Sequence, residues 1–160
     1  MNLYLLRHGE AEPIASIPEG RQLTEAGILE VSRVARQFAS SRYSLDVCFV
    51  SSALRAQQTA KIFLSHIFDS PDPSTIEELS ANQRAAQLMK YLERVDVENI
   101  LLVSHNPILS ELLALLTRGN VEDMTILDTG ELACVTLDII GLGMGTCRTI
   151  LRPDASVSIS

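Results

Sequence analysis

The chain alternates short apolar runs with longer segments in which apolar residues recur every three or four positions. Three of the short runs, at residues 3–6, 47–50 and 100–103, have the length and composition of buried strands. The longer segments have the period of amphipathic helices. Parallel strands need long crossover connections, which are usually helices. The alternation therefore predicts a largely parallel sheet with helices on both faces.

Four helices are predicted along the chain. Thr24 is placed to cap the first, and Asn106 followed by Pro107 is placed to begin the last, because proline needs no hydrogen-bond donor at that position. Loops are predicted around Pro13 and Pro18 and over residues 69–75. The positions expected to face the core are, helix by helix, Ile28, Val31, Ala35 and Phe38; Ala56, Ala60, Phe63, Leu64 and Ile67; Ala85, Leu88, Met89 and Leu92; and Ile108, Leu109, Leu112, Leu113 and Leu116.

The last part of the chain predicts an antiparallel hairpin. Residues 132–140 and 146–151 have the pattern of strands joined by a glycine-rich turn. These glycines superficially resemble a phosphate-binding loop, but no helical pattern follows them. The expected fold is therefore an α/β three-layer α/β/α sandwich, with a mostly parallel sheet and one antiparallel edge. We expect a single domain over residues 1–152 and a flexible tail over residues 153–160.

Composition and charge narrow the classes of function. The chain has 160 residues and a formal net charge of −7, and no basic stripe of the kind that binds nucleic acid. No apolar run is long enough to span a membrane. The three cysteines include no CxxC pair, which is typical of reduced structural thiols. These features predict a soluble cytoplasmic protein in which a local cluster of arginines would suit an anion presented by another protein.

Polar residues follow each of the three apolar runs at once. Arg7 and His8 follow the first, Ser51 and Ser52 with Arg55 follow the second, and His105 follows the third. If the strands are parallel, these segments leave the sheet at the same edge, which is where ligands bind in such folds. Two guanidinium groups can grip phosphate oxygens, and a neutral imidazole can attack phosphorus. Glycine at position 9 would let the backbone pass close to a substrate.

The same segments resemble the motifs of a known family. Arg7-His8-Gly9 at the end of the first strand is similar to the signature of the histidine phosphatase superfamily, which has the phosphoglycerate mutase-like fold. The segment 51–60 resembles the second motif of that family, and Ser104-His105-Asn106-Pro107 resembles the third. The short length and the segment 21–27 resemble the small phosphohistidine phosphatases of the SixA type.

The resemblance implies a role for each matching residue. His8 would be the nucleophile that becomes phosphorylated, and Arg7, Arg55 and His105 would hold the phosphoryl oxygens. Arg21 resembles a further residue at the pocket mouth, with phosphate contact and plain surface charge as equal alternatives. Many members also carry a glutamate that protonates the leaving oxygen.

Two glutamates, Glu77 and Glu78, lie in roughly that region of this chain. Their surroundings do not match the familiar pattern, and only Glu78 is a candidate general acid. An acid matters less if the leaving group is an imidazole, whose pKa is near 6.5. The resemblance implies neither a metal nor another cofactor.

The sequence therefore predicts a metal-independent phosphatase that works through a phosphohistidine intermediate on His8. The preferred substrate is phosphohistidine in a signalling or phosphotransfer protein, because the chain has little room for a lid. One alternative is a small-molecule phosphomonoester phosphatase of the same superfamily, and another is a non-catalytic phosphate-binding module. A thiol mechanism is disfavoured, because six residues separate Cys48 from Arg55 and Cys48 lies within an apolar run.

Overall fold

The computed structural model describes residues 1–14 and 20–154. Within these ranges the chain forms six strands, four helices and a 3₁₀ turn at Glu77–Leu79. The strands are β1 (Asn2–Arg7), β2 (Val47–Val50), β3 (Pro73–Thr75), β4 (Asn99–Ser104), β5 (Leu132–Leu137) and β6 (Gly145–Leu151). The helices are α1 (Glu25–Ser40), α2 (Leu54–Ser65), α3 (Ala85–Leu92) and α4 (Ile108–Arg118).

All six strands belong to one sheet in the order β3-β2-β4-β1-β5-β6. The pairs β2–β3, β2–β4 and β1–β4 are parallel, whereas β5 runs antiparallel to both β1 and β6. The register sets Arg7 of β1 opposite Ser104 of β4, and Val50 of β2 opposite Val103 of β4. The carboxyl ends of β1, β2 and β4 are therefore level with one another at one edge of the sheet.

The helices divide into two layers because alternate residues of each strand face opposite sides. Leu3 and Leu5 of β1 belong to a core with the apolar residues of α3 and α4. Tyr4 and Leu6 belong to a second core with those of α1 and α2. These layers confirm the predicted three-layer α/β/α sandwich with a mostly parallel sheet.

Most of the predicted inward positions of the helices are buried. Thr24 caps α1 as expected, since its hydroxyl oxygen accepts a hydrogen bond from the N–H of Gly27 at 3.0 Å. There are two exceptions: Ile67 lies beyond the end of α2 and is only half-buried, and the side chain of Ile28 is 42% exposed. Gly27 takes the inward position instead, because a Cβ at that residue would lie 2.1 Å from the carbonyl oxygen of Glu10. The first turn of α1 thus packs directly against the backbone of the loop that follows β1.

Three local predictions need correction. Part of the expected 69–75 loop is strand β3, with Pro73 as its first residue, a position that proline tolerates at a sheet edge. Pro107, and not Asn106, occupies the N-cap position of α4. The Asn106 side chain forms its hydrogen bonds with Leu127 and Ser110 instead. The hairpin is confirmed, but its first strand ends at Leu137 rather than at residue 140.

The predictions at the end of the chain and around Pro18 fall partly outside the described ranges. Pro153 and Asp154 form a turn, whereas residues 155–160 of the predicted tail and Pro18 are not among the described residues. No helix in residues 1–14 and 20–154 is long and apolar enough to cross a membrane.

Candidate active site

Four predicted site residues meet at the carboxyl edge of the sheet. Arg7 ends β1, His8 follows it, Arg55 lies in the first turn of α2, and His105 follows β4. The backbone N–H of His8 donates to the carbonyl oxygen of Ser104 at 2.9 Å, which extends the pairing of β1 and β4 into the site. The parallel register thus brings together residues that are far apart in sequence.

The ring of His8 is held in one orientation. Its Nδ1 lies 2.7 Å from the carbonyl oxygen of Gly9, and its Nε2 lies 3.2 Å from Nε of Arg55. A carbonyl can only accept, and the Nε–H of arginine can only donate. Nδ1 therefore carries the proton in the neutral ring, and the lone pair of Nε2 faces Arg55. His8 is only 6% exposed. The arrangement provides a buried neutral imidazole with a lone pair directed toward a guanidinium group.

Both histidines of the site have lowered pKa values. Burial lowers the pKa of His8 to about 4, and the charges of Arg55 and Arg7 act in the same direction, against the bond to the Gly9 carbonyl. Burial also lowers the pKa of His105 to about 4, with contributions from Arg55, Arg7 and Arg21. Both rings are therefore neutral at neutral pH, and the positive charge of the site is carried by arginines.

His105 is oriented by its neighbour in the chain. Its Nδ1 lies 2.8 Å from Oγ of Ser104, and the Ser104 hydroxyl donates to the carbonyl oxygen of Leu79 at 2.8 Å. Because the hydroxyl proton is used in that bond, Nδ1 of His105 is the donor to Ser104. Nε2 of the neutral ring then carries a lone pair.

The side chain of Arg7 is anchored by a closed ring of hydrogen bonds. Its Nη1 donates to the carbonyl oxygen of Leu127 at 2.8 Å, and Nδ2 of Asn106 donates to the same oxygen at 2.8 Å. Ser110 Oγ donates to Oδ1 of Asn106 at 2.7 Å and accepts from the N–H of Leu127 at 3.0 Å. The Nε of Arg7 is buried and has no hydrogen-bond partner in the described part of the chain.

Sequence reasoning missed this ring. The one residue of the ring that could have indicated it in the sequence is Ser110, because this serine lies among the apolar positions of α4. Its side chain is fully buried. Buried hydroxyl groups are almost always hydrogen-bonded, so such a serine indicates a partner brought in by the fold.

A second missed residue is Thr59 of α2. The N–H of Gly9 donates to its hydroxyl oxygen at 3.1 Å, and the Thr59 hydroxyl donates to the carbonyl oxygen of Arg55 at 2.7 Å. A Cβ at Gly9 would lie 2.6 Å from the carbonyl oxygen of Gly27. The glycine that we expected to allow close approach of a substrate is thus required by the packing against α1.

The remaining predicted site residues differ in position. Arg21 is half-buried, and its charge contributes to the lowered pKa of His105. Its role in binding phosphate stays a prediction. Glu78 lies in the 3₁₀ turn and lines a groove of about 410 Å³ together with Tyr91 and Arg94. None of the four residues at the carboxyl edge lines that groove. The role of Glu78 as a general acid stays a prediction.

The interpretation of Cys48 as a core residue is confirmed. Cys48 is fully buried in β2, and burial raises the pKa of its thiol to about 12. A thiol with such a pKa is not a nucleophile at neutral pH. Over residues 1–14 and 20–154, no group of three or more His, Cys, Asp or Glu side chains is arranged to hold a metal ion.

Comparison with known proteins identifies the family of this chain. Residues 3–80 match the model of the histidine phosphatase superfamily (branch 1). The chain is 31% identical over 150 residues to phosphohistidine phosphatase SixA of Escherichia coli (strain K12), covering 89% of each protein. It is 35% identical over 86 residues to a 2,3-bisphosphoglycerate-dependent phosphoglycerate mutase of Methylobacterium sp. (strain 4-46), covering 51% of this chain and 41% of the mutase.

A solved structure of the protein histidine phosphatase SixA complexed with tungstate superimposes with a TM-score of 0.87. It shares 28% identity and covers 96% of this chain and 97% of the other. The chain belongs to the histidine phosphatase superfamily. Within that superfamily it is similar over nearly its whole length to proteins of the SixA type, whereas its similarity to the mutase spans about half of the chain.

Proposed function

We propose that this protein is a phosphohistidine phosphatase that uses His8 as its nucleophile. The observation that carries the proposal is the tautomer of His8, which the Gly9 carbonyl fixes through Nδ1 at 2.7 Å. Nε2 is then the nitrogen with the lone pair, and Arg55 Nε lies 3.2 Å from it. An oxyanion that replaces Nε2 as the acceptor of Arg55 would free the lone pair beside phosphorus.

The reaction divides into two phosphoryl transfers. In the first, Nε2 of His8 forms a bond to phosphorus while the bond from phosphorus to the substrate nitrogen breaks, and the substrate ring keeps the electron pair. The Nδ1–H of His8 continues to donate to Gly9, which stabilises the phosphorylated ring. In the second, a water oxygen bonds to phosphorus, one water proton passes to solvent, the bond from phosphorus to Nε2 breaks, and His8 keeps the electron pair. The products are inorganic phosphate and the original neutral His8.

The arginines would bind the transferred group. Arg7 and Arg55 each present a guanidinium that matches two phosphoryl oxygens, and Nε of Arg7 is a donor still without an acceptor in the described residues. His105 and Arg21 would add contacts to the remaining oxygens. Stabilising charge that develops on these oxygens in a buried site is the largest expected contribution to the rate.

The leaving group explains why a general acid is less important here. A phosphohistidine ring that is protonated on its far nitrogen departs as neutral imidazole, whose conjugate acid has a pKa near 6.5. An alkoxide leaving group would need a proton in the transition state. Glu78 therefore remains a candidate acid only for ester substrates.

A phosphorylated protein is the substrate class that we favour. Two sequence relatives that match over most of their length, 89% and 76%, are a phosphohistidine phosphatase SixA and a SixA homolog by name. The match to the phosphoglycerate mutase supports the alternative of a small-molecule phosphomonoester phosphatase, over a smaller part of the chain. A non-catalytic phosphate-binding module would not need the fixed tautomer of His8.

The proposal includes a domain boundary and a cellular location. One sheet that runs from Asn2 to Leu151 supports a single domain over residues 1–152. Three free cysteines support a cytoplasmic protein, because the cytoplasm keeps thiols reduced.

The experiment compares kcat/KM for a histidine-phosphorylated phosphotransfer protein with that for a panel of sugar and acid phosphates, with EDTA present. We expect the phosphoprotein to be preferred and EDTA to have no effect. His8→Ala should abolish turnover, whereas His66→Ala, a half-buried histidine at the end of α2, should leave it unchanged.

Three results would contradict the proposal. Turnover by His8→Ala would exclude the covalent mechanism, and a loss of activity in EDTA that added metal restores would mean that the site works differently. Preference for a small ester would favour the alternative, in which case Glu78→Gln should lower kcat strongly.

A further inference from the structure

A groove of about 520 Å³ begins at His105 and runs between α3 and α4. The apolar side chains that a ligand can reach there are the half-buried Leu115 on the floor and the exposed Ala86, Pro107 and Val121 at the rim. Ala85 and Ile108 lie beneath them and are almost fully buried. Because His105 lines the groove and also belongs to the candidate active site, the groove is a direct extension of that site.

We propose that this groove binds an apolar side chain of the phosphorylated substrate protein, beside its phosphohistidine. The proposal rests on the proposed function and narrows it, because it names the part of the substrate that is recognised. The occupant is a helical segment that carries the phosphohistidine and, three or four residues away, a large apolar residue. One helical turn is about 5.4 Å long, so such a residue lies on the same face as the phosphohistidine.

Continuity with the site is the first argument for this occupant. Because His105 lines the groove, the atoms bonded to a phosphoryl group at His105 lie beside it. A small phosphorylated metabolite has no chain to extend along it. A protein that presents phosphohistidine does, and an apolar floor favours burial of a side chain over a bound solvent layer.

The walls of the groove are the second argument. They are built from the start of α3 and one side of α4, and a groove between two helices is a common docking site for an amphipathic helix of a partner. Arg84, next to α3, and Glu111, on α4, supply one charge of each sign on the two sides. Such paired charges can orient a partner helix without dominating its affinity.

The test introduces a charge at the rim without disturbing the core. Val121→Glu and Ala86→Glu change exposed positions of the groove. Ile139→Glu is the matched control, because Ile139 is 61% exposed and lies in the loop between β5 and β6. Each variant is assayed with two substrates: a phosphotransfer domain phosphorylated on a histidine in a helix, and free phosphohistidine.

We expect each groove variant to lower kcat/KM for the phosphorylated domain by about tenfold, mainly through a higher KM. A loss of this size is typical when one buried contact residue of a protein interface is removed. Hydrolysis of free phosphohistidine should be unchanged, and Ile139→Glu should match the parent protein with both substrates. Replacing the apolar residue of the substrate helix by Asp should lower kcat/KM for the parent enzyme, and add little further loss for Val121→Glu.

Two results would overturn the inference. One is a kcat/KM of Val121→Glu on the phosphorylated domain equal to that of Ile139→Glu. The other is an equal loss on both substrates, which would mean that the substitution disturbs the chemistry. Failure of the proposed function is distinguishable, because the parent protein itself would then fail to dephosphorylate the domain, and the inference would fail with it.

Discussion

The protonation state of His8 and His105 is the feature of this site that pH can test directly. Both pKa values are lowered to about 4, from an ordinary value of 6.5. At pH 5 a histidine with a pKa of 4 is about 90% neutral, whereas one with a pKa of 6.5 is only about 3% neutral. The expected population of the neutral ring therefore differs about 30-fold between the two cases.

The same shift predicts the pH dependence of stability. The unfolded chain has histidine pKa values near 6.5, so between pH 6.5 and about 4 it binds more protons than the folded protein does. Stability should be fully present above pH 6.5 and should fall as the pH is lowered to about 4. For His8, which is 6% exposed, the loss is about 3 kcal/mol at 1.36 kcal/mol for each pKa unit.

Nuclear magnetic resonance of the histidine rings measures both properties. The chain has three histidines, and His66→Gln leaves only the two of the site. Nitrogen-15 shifts recorded from pH 4 to pH 8 report the pKa of each ring and which nitrogen carries the proton. Urea unfolding at pH 7 and pH 5 measures the part of the loss that falls in this interval, about 2 kcal/mol for His8.

We expect His8 to remain neutral at pH 5, with its proton on Nδ1. A midpoint near 6.5 for either ring would refute the argument that burial and the arginines keep the site neutral. A proton on Nε2 of His8 would refute the assignment of the nucleophilic nitrogen.

Further predictions concern the residues that support the site. Ser110→Ala breaks the ring that anchors Arg7, and should lower kcat/KM at least fivefold in the parent but add little in an Arg7→Lys background. Gly27→Ala should cost about 2 kcal/mol or more in urea unfolding, because its Cβ would lie 2.1 Å from Glu10 O. Cys48→Ser should leave kcat within about twofold and lower stability by about 1–3 kcal/mol, because it buries a hydroxyl. A complete loss of activity in Cys48→Ser would restore the thiol mechanism.

The arrangement of the sheet was predictable because it depends on short apolar runs and on their order. Parallel strands with helical crossovers necessarily bring the residues after each strand to one edge, so Arg7, Arg55 and His105 could be grouped from sequence alone. Strand β3 was missed because three exposed residues beginning with proline carry no apolar signal.

The support for the site could not be predicted in the same way. The Leu127 carbonyl that anchors Arg7 is 120 residues away in sequence, and a backbone atom carries no residue-specific signal. Asn106 illustrates the same difficulty, because its position before Pro107 is typical of a helix cap, yet its side chain binds Leu127 and Ser110. Local propensity was outweighed by hydrogen bonds that only the complete fold provides.

The neutral state of His105 has a consequence for how an oxyanion binds. In the free protein Nδ1 of this ring donates to Ser104, so Nε2 carries a lone pair that would repel a phosphoryl oxygen. Contact between the two requires a proton on Nε2, and a bound anion raises the pKa of the ring. Binding of sulfate, an oxyanion that carries no proton of its own near neutral pH, should therefore be accompanied by proton uptake at His105 and should weaken as the pH rises. Calorimetry in two buffers of different ionisation enthalpy measures this uptake. Binding without proton uptake would mean that the arginines alone form hydrogen bonds with the anion. His105 would then line the site without donating a hydrogen bond to it.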